Sequence, residues 1–384
     1  MQSKKKRIVV RHYTLETSAG NDAAEVCAAI HEGNPGFRIY DTLPVSAGEG
    51  DGSAFPLLGM IGGPDNRALL TPDRLLFRLS HLFDAPDDCP HPRTALLCRP
   101  ATSDPQYPAL AKTLLPRIKA ELADHGVEHV AEADQHTLPA TLAGHLDDLE
   151  QGHRPDLLLV AVDSLINPAV MNTRVAHHDA RTTANPHGRV LSEALCVLWL
   201  QAVDPEADPD EGALSLDSLS ISNEPDDTWP DRRWHQALAN AAAQTLGVDT
   251  PGDLSNPTPR PAHIMLARAQ TMTDEMIWYQ THSSLWPLRL SPRDNLAMRK
   301  GEKPAPQPEP LPPQQVMRPA MTLGDTGAAT LPIAIILATQ WMRDPANLGQ
   351  PCLLLDHVER QRLALLIQPG MPAMTDAQHE VAHA

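Results

Sequence analysis

Five cysteines, Cys27, Cys89, Cys98, Cys196 and Cys352, are the residues of this 384-residue chain whose type best suits nucleophilic or redox chemistry. Their number is odd, they are scattered, and no Cys-x-x-Cys pair brings two together. The sequence therefore indicates neither a zinc site nor a disulfide framework. Cys27 falls on the apolar face of a predicted helix, where a thiol acts as a small buried hydrophobe. Three histidines, His177, His178 and His187, share one loop and invite a metal reading. Their spacing from the neighbouring acids and cysteines matches no ligand pattern, which favours a solvated loop. The glycine-rich run Gly48 to Gly63 has neither a G-x-x-x-x-G-K-[ST] pattern nor a G-x-G-x-x-G after a strand, so phosphate cradling has no support. No cofactor and no metal is expected.

The elements that would position such residues follow from periodicity. Residues 7 to 11 read as a short strand. Asn21 to Gly33 reads as a helix, with Asn21 or Asp22 to cap it and Gly33 to end it. Helices are predicted over 71–83, 108–125 and 137–152, the last with Pro139 in its first turn, where proline is tolerated. Thr94 to Cys98 is a short apolar strand. Asp156 to Leu165 is a continuous apolar strand that ends in a polar turn, the pattern of a strand buried on both faces. A second such strand covers Ala194 to Leu200. In the remaining chain, strands are predicted over 214–221 and 263–268 and helices over 233–246 and 272–282, and 324–341 runs from a glycine-rich turn into an apolar helix. Cys352 to Leu355 and Leu363 to Ile367 bracket a final β-hairpin. Lys303 to Pro319 is proline-rich and reads as an extended connection.

Composition narrows the function classes. Forty-eight acidic residues against 31 Lys and Arg give a net charge of −17, which repels phosphate backbones and anionic lipid. No nucleic-acid partner is expected, and the run Lys4-Lys5-Lys6-Arg7 reads as a solvated strand entry. No apolar stretch reaches the roughly 18 to 20 residues that span a bilayer, and no secretory pattern opens the chain. No membrane association and a cytoplasmic location are expected.

The order of strand and helix, repeated in two halves, resembles a ketosynthase of the thiolase superfamily. Three passages carry the likeness. Pro155 to Leu165 (PDLLLVAVDSL) is similar to the buried ketosynthase strand that ends in an Asp-Ser turn. His187 to Leu200 is similar to the Gly-Glu-Ala strand that follows, here with Ser192-Glu193-Ala194. Leu323 to Ile335 (LGDTGAATLPIAI) is similar to the late glycine-rich loop and helix. The resemblance implies an α/β, thiolase-like fold: two pseudo-repeated halves, 1–202 and 203–384, the second containing the proline-rich connection 303–319, in a layered αβαβα body with mixed five-stranded sheets. It also implies pairing through a central strand, as a homodimer or as a heterodimer with a related chain.

The departures bear on function. In the family a nucleophilic cysteine caps the helix before the buried strand, where the helix dipole lowers its pKa. Family spacing places that position near His136 and Thr137, and no cysteine lies between Cys98 and Cys196. In the late loop, where relatives carry His or Asn, this chain has Asp325, followed by Thr326. A carboxylate about 4 Å from a developing oxyanion repels it by roughly 4 kcal/mol at an effective dielectric of 20. The family's His-Gly-Thr-Gly-Thr run is absent, and His263 and His282, the histidines of that region, lack its context.

The resemblance thus makes His136, Thr137, Asp325 and Thr326 the candidates for a vestigial pocket, with no catalytic residue expected. The leading expectation is a catalytically inactive scaffold or adaptor that binds a protein partner. Degenerate thiolase-like chains also resemble accessory proteins that accompany bacterial effector-secretion genes. The alternatives are a degenerate acyltransferase or hydrolase using His136, Thr137 and Asp325, and a non-catalytic acyl-chain-binding partner of an active ketosynthase.

Overall fold

The computed structural model describes residues 5–41, 43, 45–46, 53–62, 71–83, 92–105, 107–205, 214–224, 230–253, 256–287, 296, 299–301 and 313–369. Cys89, residues 206–212 of the acidic loop and residues 303–312 of the proline-rich connection lie outside the described residues.

Strand β1 (Arg7–Glu16) is followed by four short strands, β2 (Arg38–Ile39), β3 (Val45–Ser46), β4 (Ser53–Ala54) and β5 (Leu57–Gly59). Longer strands then alternate with helices: β6 (Thr94–Arg99), β7 (His129–Asp134), β8 (Asp156–Ser164) and β9 (Leu191–Val203). A second series comprises β10 (Leu214–Asn223), β11 (His263–Leu266), β12 (Gln315–Met317), β13 (Cys352–Val358) and β14 (Gln361–Pro369). Their spatial order is β7-β6-β8-β9-β1-β10-β14-β13-β11-β12. Counted in chain order, β1 and β6–β9 lie 3-2-4-5-1, and β10–β14 repeat that order in mirror sequence along the sheet. In each set the second strand is parallel to the third and fourth. The fifth is antiparallel to both of its neighbours. The two sets are joined where β1 pairs antiparallel with β10, Ile8 opposite Leu216 and Val9 opposite Ser215. The expected five-stranded sheets are therefore present but continuous with one another.

Side-chain alternation sets the layers. Leu157, Leu159 and Ala161 of β8 enter one core cluster, while Leu158, Val160 and Val162 enter another on the opposite face. Both faces of the strand are covered, which is why its sequence is apolar throughout. The first cluster is shared by both strand sets and takes in helices α1 (Ala23–Glu32), α4 (Leu138–Glu150) and α9 (Thr330–Arg343). Outside it, α2 (Thr71–Leu82) and α3 (Tyr107–Asp124) cover the first set, and α6 (Pro230–Thr245) and α7 (Met272–Leu285) the second. The sequence of layers is helix, sheet, helix, sheet, helix.

Helix α9 shows how sequence dictates this placement. Its run LPIAIILATQWM is apolar all round, as a helix between two sheets must be, and all of Thr330 to Thr339 is buried. Each Leu or Ile so buried contributes roughly 1.5–3 kcal/mol. Helix α1 is capped as expected: Asp22 accepts from the N–H groups of Ala24 and Glu25, and Gly33 closes it at φ 71°.

The sequence reading differs from the structure at several places, beginning with the short strands β2–β5, to which it gives no element. It assigned no element to β7, whose HVAEAD is short, acid-containing and on a sheet edge. It names no element over 168–176, but these residues form α5 (Pro168–Ala176), started by an Asn167 cap and Pro168. Within the proline-rich connection, Gln315–Met317 is a strand paired with β11.

Candidate functional site

The strand ends and loops named in the sequence converge at one end of the sheets. Asp163 and Ser164 close β8; Ser192 and Glu193 open β9; and the loop between α8 (Ala320–Leu323) and α9 crosses both. That loop is pinned to β9: Ser192 N donates to Asp325 O at 2.9 Å, and Asp325 N to Val190 O at 2.7 Å. Beneath it, the fully buried Glu193 is clasped by Arg74, with Nε at 2.9 Å from Oε1 and Nη2 at 2.8 Å from Oε2. Glu193 also accepts from Ile61 N and Ser164 Oγ.

Asp163 is buried against the turn that leads into α9. It accepts from Ala328 N and from Ser164 N, both at 2.7 Å. Gly327, at φ 59°, permits this approach, because a Cβ there would lie 2.1 Å from Asp163 Oδ2. Burial pushes the Asp163 carboxyl up to about 7, against the N–H groups of Ala328 and Ser164, which favour its charged form, and with nearby Asp104 and Asp325 adding to the rise.

Asp325 belongs to an ionic cluster. Its Oδ1 accepts from Gly327 N at 3.0 Å and lies 3.5 Å from Arg268 Nη1. Arg268 follows the end of β11; its Nε reaches Asp356 Oδ1 at 3.0 Å and its Nη2 donates to Gly327 O at 3.0 Å. The two carboxylates on this one guanidinium respond oppositely. Burial raises both, but at Asp325 the summed fields of Arg268, Arg174 and Arg189 and the Gly327 N–H outweigh it and hold the carboxyl below its ordinary value. At Asp356 burial prevails over Arg268 and the carboxyl lies above it. The difference follows from how many cations each one faces.

An outer ring surrounds this pair. Arg189 contacts Asp274 at 2.9 Å and donates to Arg268 O at 3.1 Å. Arg174 is ion-paired with Asp179. Asp274 also accepts from Gln270 N and Thr271 N and completes the capping box of α7. His357 Nε2 lies 3.6 Å from Asp274 Oδ1. Burial lowers the His357 imidazole to about 3, Asp274 opposing and Arg189, Arg362 and Arg268 assisting, so it is neutral near pH 7. A cavity of about 20 Å³ lies among Arg268, Asp274, Asp356 and His357. It has room for one water and none for an acyl chain.

The four residues singled out from sequence fall into two pairs. Thr137 precedes α4, and its Oγ1 bonds back to Asp134, 3.1 Å from Oδ1. Asp134 Oδ1 accepts from the backbone N–H of His136 and of Thr137, both at 3.0 Å. The His136 ring points to the β13–β14 hairpin, with Nδ1 3.5 Å from Glu359 Oε1. Thr326 is buried, its Oγ1 3.0 Å from that of Thr330. Among the described residues, no hydrogen bond or ion pair joins His136 or Thr137 to Asp325. The hairpin links the two pairs indirectly, since Asp356 stands three residues before Glu359.

Sequence reasoning missed Arg268, Arg189 and Arg174. The signal for Arg268 is a charged residue that closes the apolar stretch predicted as a strand over 263–268. An arginine there neither gives nor takes a proton near neutral pH. His263 is buried with its ring edge-on to Trp341 at 4.7 Å, and His282 stands between Trp278 and Trp286. Cys98 and Cys196 lie in β6 and β9 on either side of Ala161. Burial raises both thiols, as it raises those of Cys352 and of Cys27, the last to about 12. No described cysteine occupies a helix tip. Among the described residues, no group of His, Cys, Asp and Glu has the geometry to hold a metal ion, and no helix is long and apolar enough to cross a membrane.

No protein-family model matches the chain, and no curated protein matches it. Solved structures do. An oxazolomycin ketosynthase domain of Streptomyces albus JA3453 is 11% identical, with a TM-score of 0.64, over 96% of this chain and 75% of that one. A β-ketoacyl synthase from Burkholderia phymatum STM815 is 12% identical, with a TM-score of 0.61, over 95% and 99%. The ishigamide ketosynthase/chain length factor is 15% identical, with a TM-score of 0.59, over 94% and 99%. With the 3-2-4-5-1 order found twice and this coverage, the chain has the thiolase-like fold of the ketosynthases.

Proposed function

We propose that this chain is a ketosynthase-like body without condensing chemistry, and that it acts as a protein-binding scaffold or adaptor. One observation carries the reading: at Asp325, where the resemblance calls for a His or Asn that donates to an oxyanion, a carboxylate faces Arg268 at 3.5 Å. The charges of the pair are spent on each other and on Asp356, and the adjoining space holds about 20 Å³. The reading is also supported by the four described cysteines, whose thiols burial keeps protonated. The hydrolase alternative needs an imidazole oriented by Asp325, whereas the His136 ring faces Glu359.

Incubating the purified protein with acyl-CoA and a carrier-bound malonyl donor tests the chemistry by intact mass. An unchanged mass is expected; a covalent acyl adduct formed during turnover refutes the reading. For the partner, β7 ends the sheet and has one edge without a neighbouring strand among the described residues. It is the strand through which a homodimer, or a heterodimer with a related chain, would extend the sheet. Native co-purification tests the scaffold role, with a protein of an effector-secretion system as the partner class to look for. Recovery of a lone, unassociated chain at native abundance opposes it.

A further inference from the structure

Helix α7 buries one face and exposes another of unusual composition. Asp274, Trp278, Thr281 and Leu285 face inward. Outward lie Met272, Thr273, Met276, Tyr279, Gln280 and Ser283, the spacing of a single helix stripe. Met272 is 82% exposed, Met276 55% and Tyr279 64%. None of the six is charged near neutral pH, on a chain whose net charge is −17. Glu275, at the margin, is ion-paired with Arg318. Three residues beyond Arg318, Met321 is itself 50% exposed. An ordinary solvated helix face carries Lys and Glu; exposed methionines and a tyrosine characterise adaptable binding surfaces.

From this face we infer that α7 is a docking surface for an amphipathic helix of a partner protein, one with an apolar stripe and basic flanks. The stripe runs from Met272 to Ser283, about 16 Å at 1.5 Å per residue and one helix wide. That is far short of the roughly 800 Å² per partner that a stable dimer buries, which disfavours a second copy of this chain as occupant. Residues at i, i+4, i+7 and i+11 match the ridges of another helix. The overall negative charge selects basic flanks over acidic ones. The face is also rigidly placed, because Asp274 holds the first turn of α7 to Arg189 at 2.9 Å.

This inference rests on the scaffold reading and assigns it a surface apart from β7. The probe is a labelled helical peptide with leucine at i, i+3, i+4 and i+7 and with lysine and glutamine elsewhere, compared with a scrambled isomer by fluorescence anisotropy on the full chain. The scrambled isomer should bind about tenfold more weakly or worse, and M276Q/Y279Q should weaken the ordered peptide to a similar degree at unchanged Tm. The substitutions add no charge, so the attraction of lysine to the acidic chain is unaltered. Absent binding, equal binding of both isomers, or indifference to M276Q/Y279Q overturns the inference. A natural partner that co-purifies equally with wild type and M276Q/Y279Q leaves the scaffold reading intact and removes α7 from it. Peptide binding together with acyl transfer does the reverse.

Discussion

Replacing Arg268 by methionine removes one charge and little volume, leaving Asp325 and Asp356 buried without their shared cation. Arg268 stands 3.5 Å from Asp325 and 3.0 Å from Asp356, each side chain nearly enclosed. At an effective dielectric of 20 each contact is worth about 5 kcal/mol of Coulomb energy before desolvation is subtracted. Breaking a buried pair from one side costs roughly 3–5 kcal/mol, a large share of the stability of a typical domain. The loss must depend on pH. In the native chain the Asp325 carboxyl is depressed, so it contributes stability above the unfolded carboxylate pKa near 3.9, lost as pH falls. In R268M both carboxyls titrate above that value, bind protons on folding, and so weaken the fold as pH rises. The deficit should be largest at pH 8 and smaller at pH 5. Urea unfolding followed by tryptophan fluorescence measures it, and adding D325N and D356N to R268M should recover much of it. A loss below about 1 kcal/mol, or one equal at the two pH values, refutes the view of this cluster as an interdependent ionic core.

Other residues give independent checks. The Asp163 carboxyl, raised to about 7, costs the native state stability as pH climbs from near 4 through 7, with a ceiling of about 4 kcal/mol. D163N should therefore gain on wild type at pH 8 relative to pH 5, and parallel pH profiles of Tm would count against the assignment. G327A places a Cβ 2.1 Å from Asp163 Oδ2 at a φ of 59°, so a drop in Tm of several degrees is expected, with no change signalling a looser loop. Mass-mapped alkylation of the native protein should leave Cys98, Cys196 and Cys352 unmodified until denaturant is added; prompt labelling of Cys196 would place it at a surface.

What the sequence showed, and what it hid, has a physical pattern. Strand β8 and helix α9 were legible because burial on every side demands uninterrupted apolar residues. Strand β7 was not, because an edge strand needs only one neighbour and tolerates Glu132 and Asp134, which divide it into fragments too short to show a period. Helix α5 is signalled by Asn167-Pro168, a cap followed by proline, but with only Val170 and Met171 buried it is too short to show an apolar period. Within the site, Asp325 was legible as a departure from an expected amide or imidazole. Arg268 was not, since a lone arginine at the end of an apolar strand carries no motif that points to the two carboxylates it pairs with.

Asp325 and Arg268 form one unit, and that gives a last test. Asp325 alone would leave an uncompensated charge in the core, and Arg268 alone would do the same with opposite sign. R268H puts a titratable imidazole at that position, and the carboxylates beside it dictate its behaviour. Between Asp325 and Asp356 an imidazole gains partners for its charged form, so its folded pKa rises above the unfolded value near 6.5. Its stabilisation is then present below that unfolded value and lost as pH rises through the folded one. R268H should therefore approach wild-type stability at pH 5.5 and fall towards R268M at pH 8.5, in urea titrations of the three proteins side by side. If R268H follows R268M at both pH values, the carboxylates do not act on that position as charges, and Asp325 and Arg268 are not the interdependent pair that their 3.5 Å contact implies.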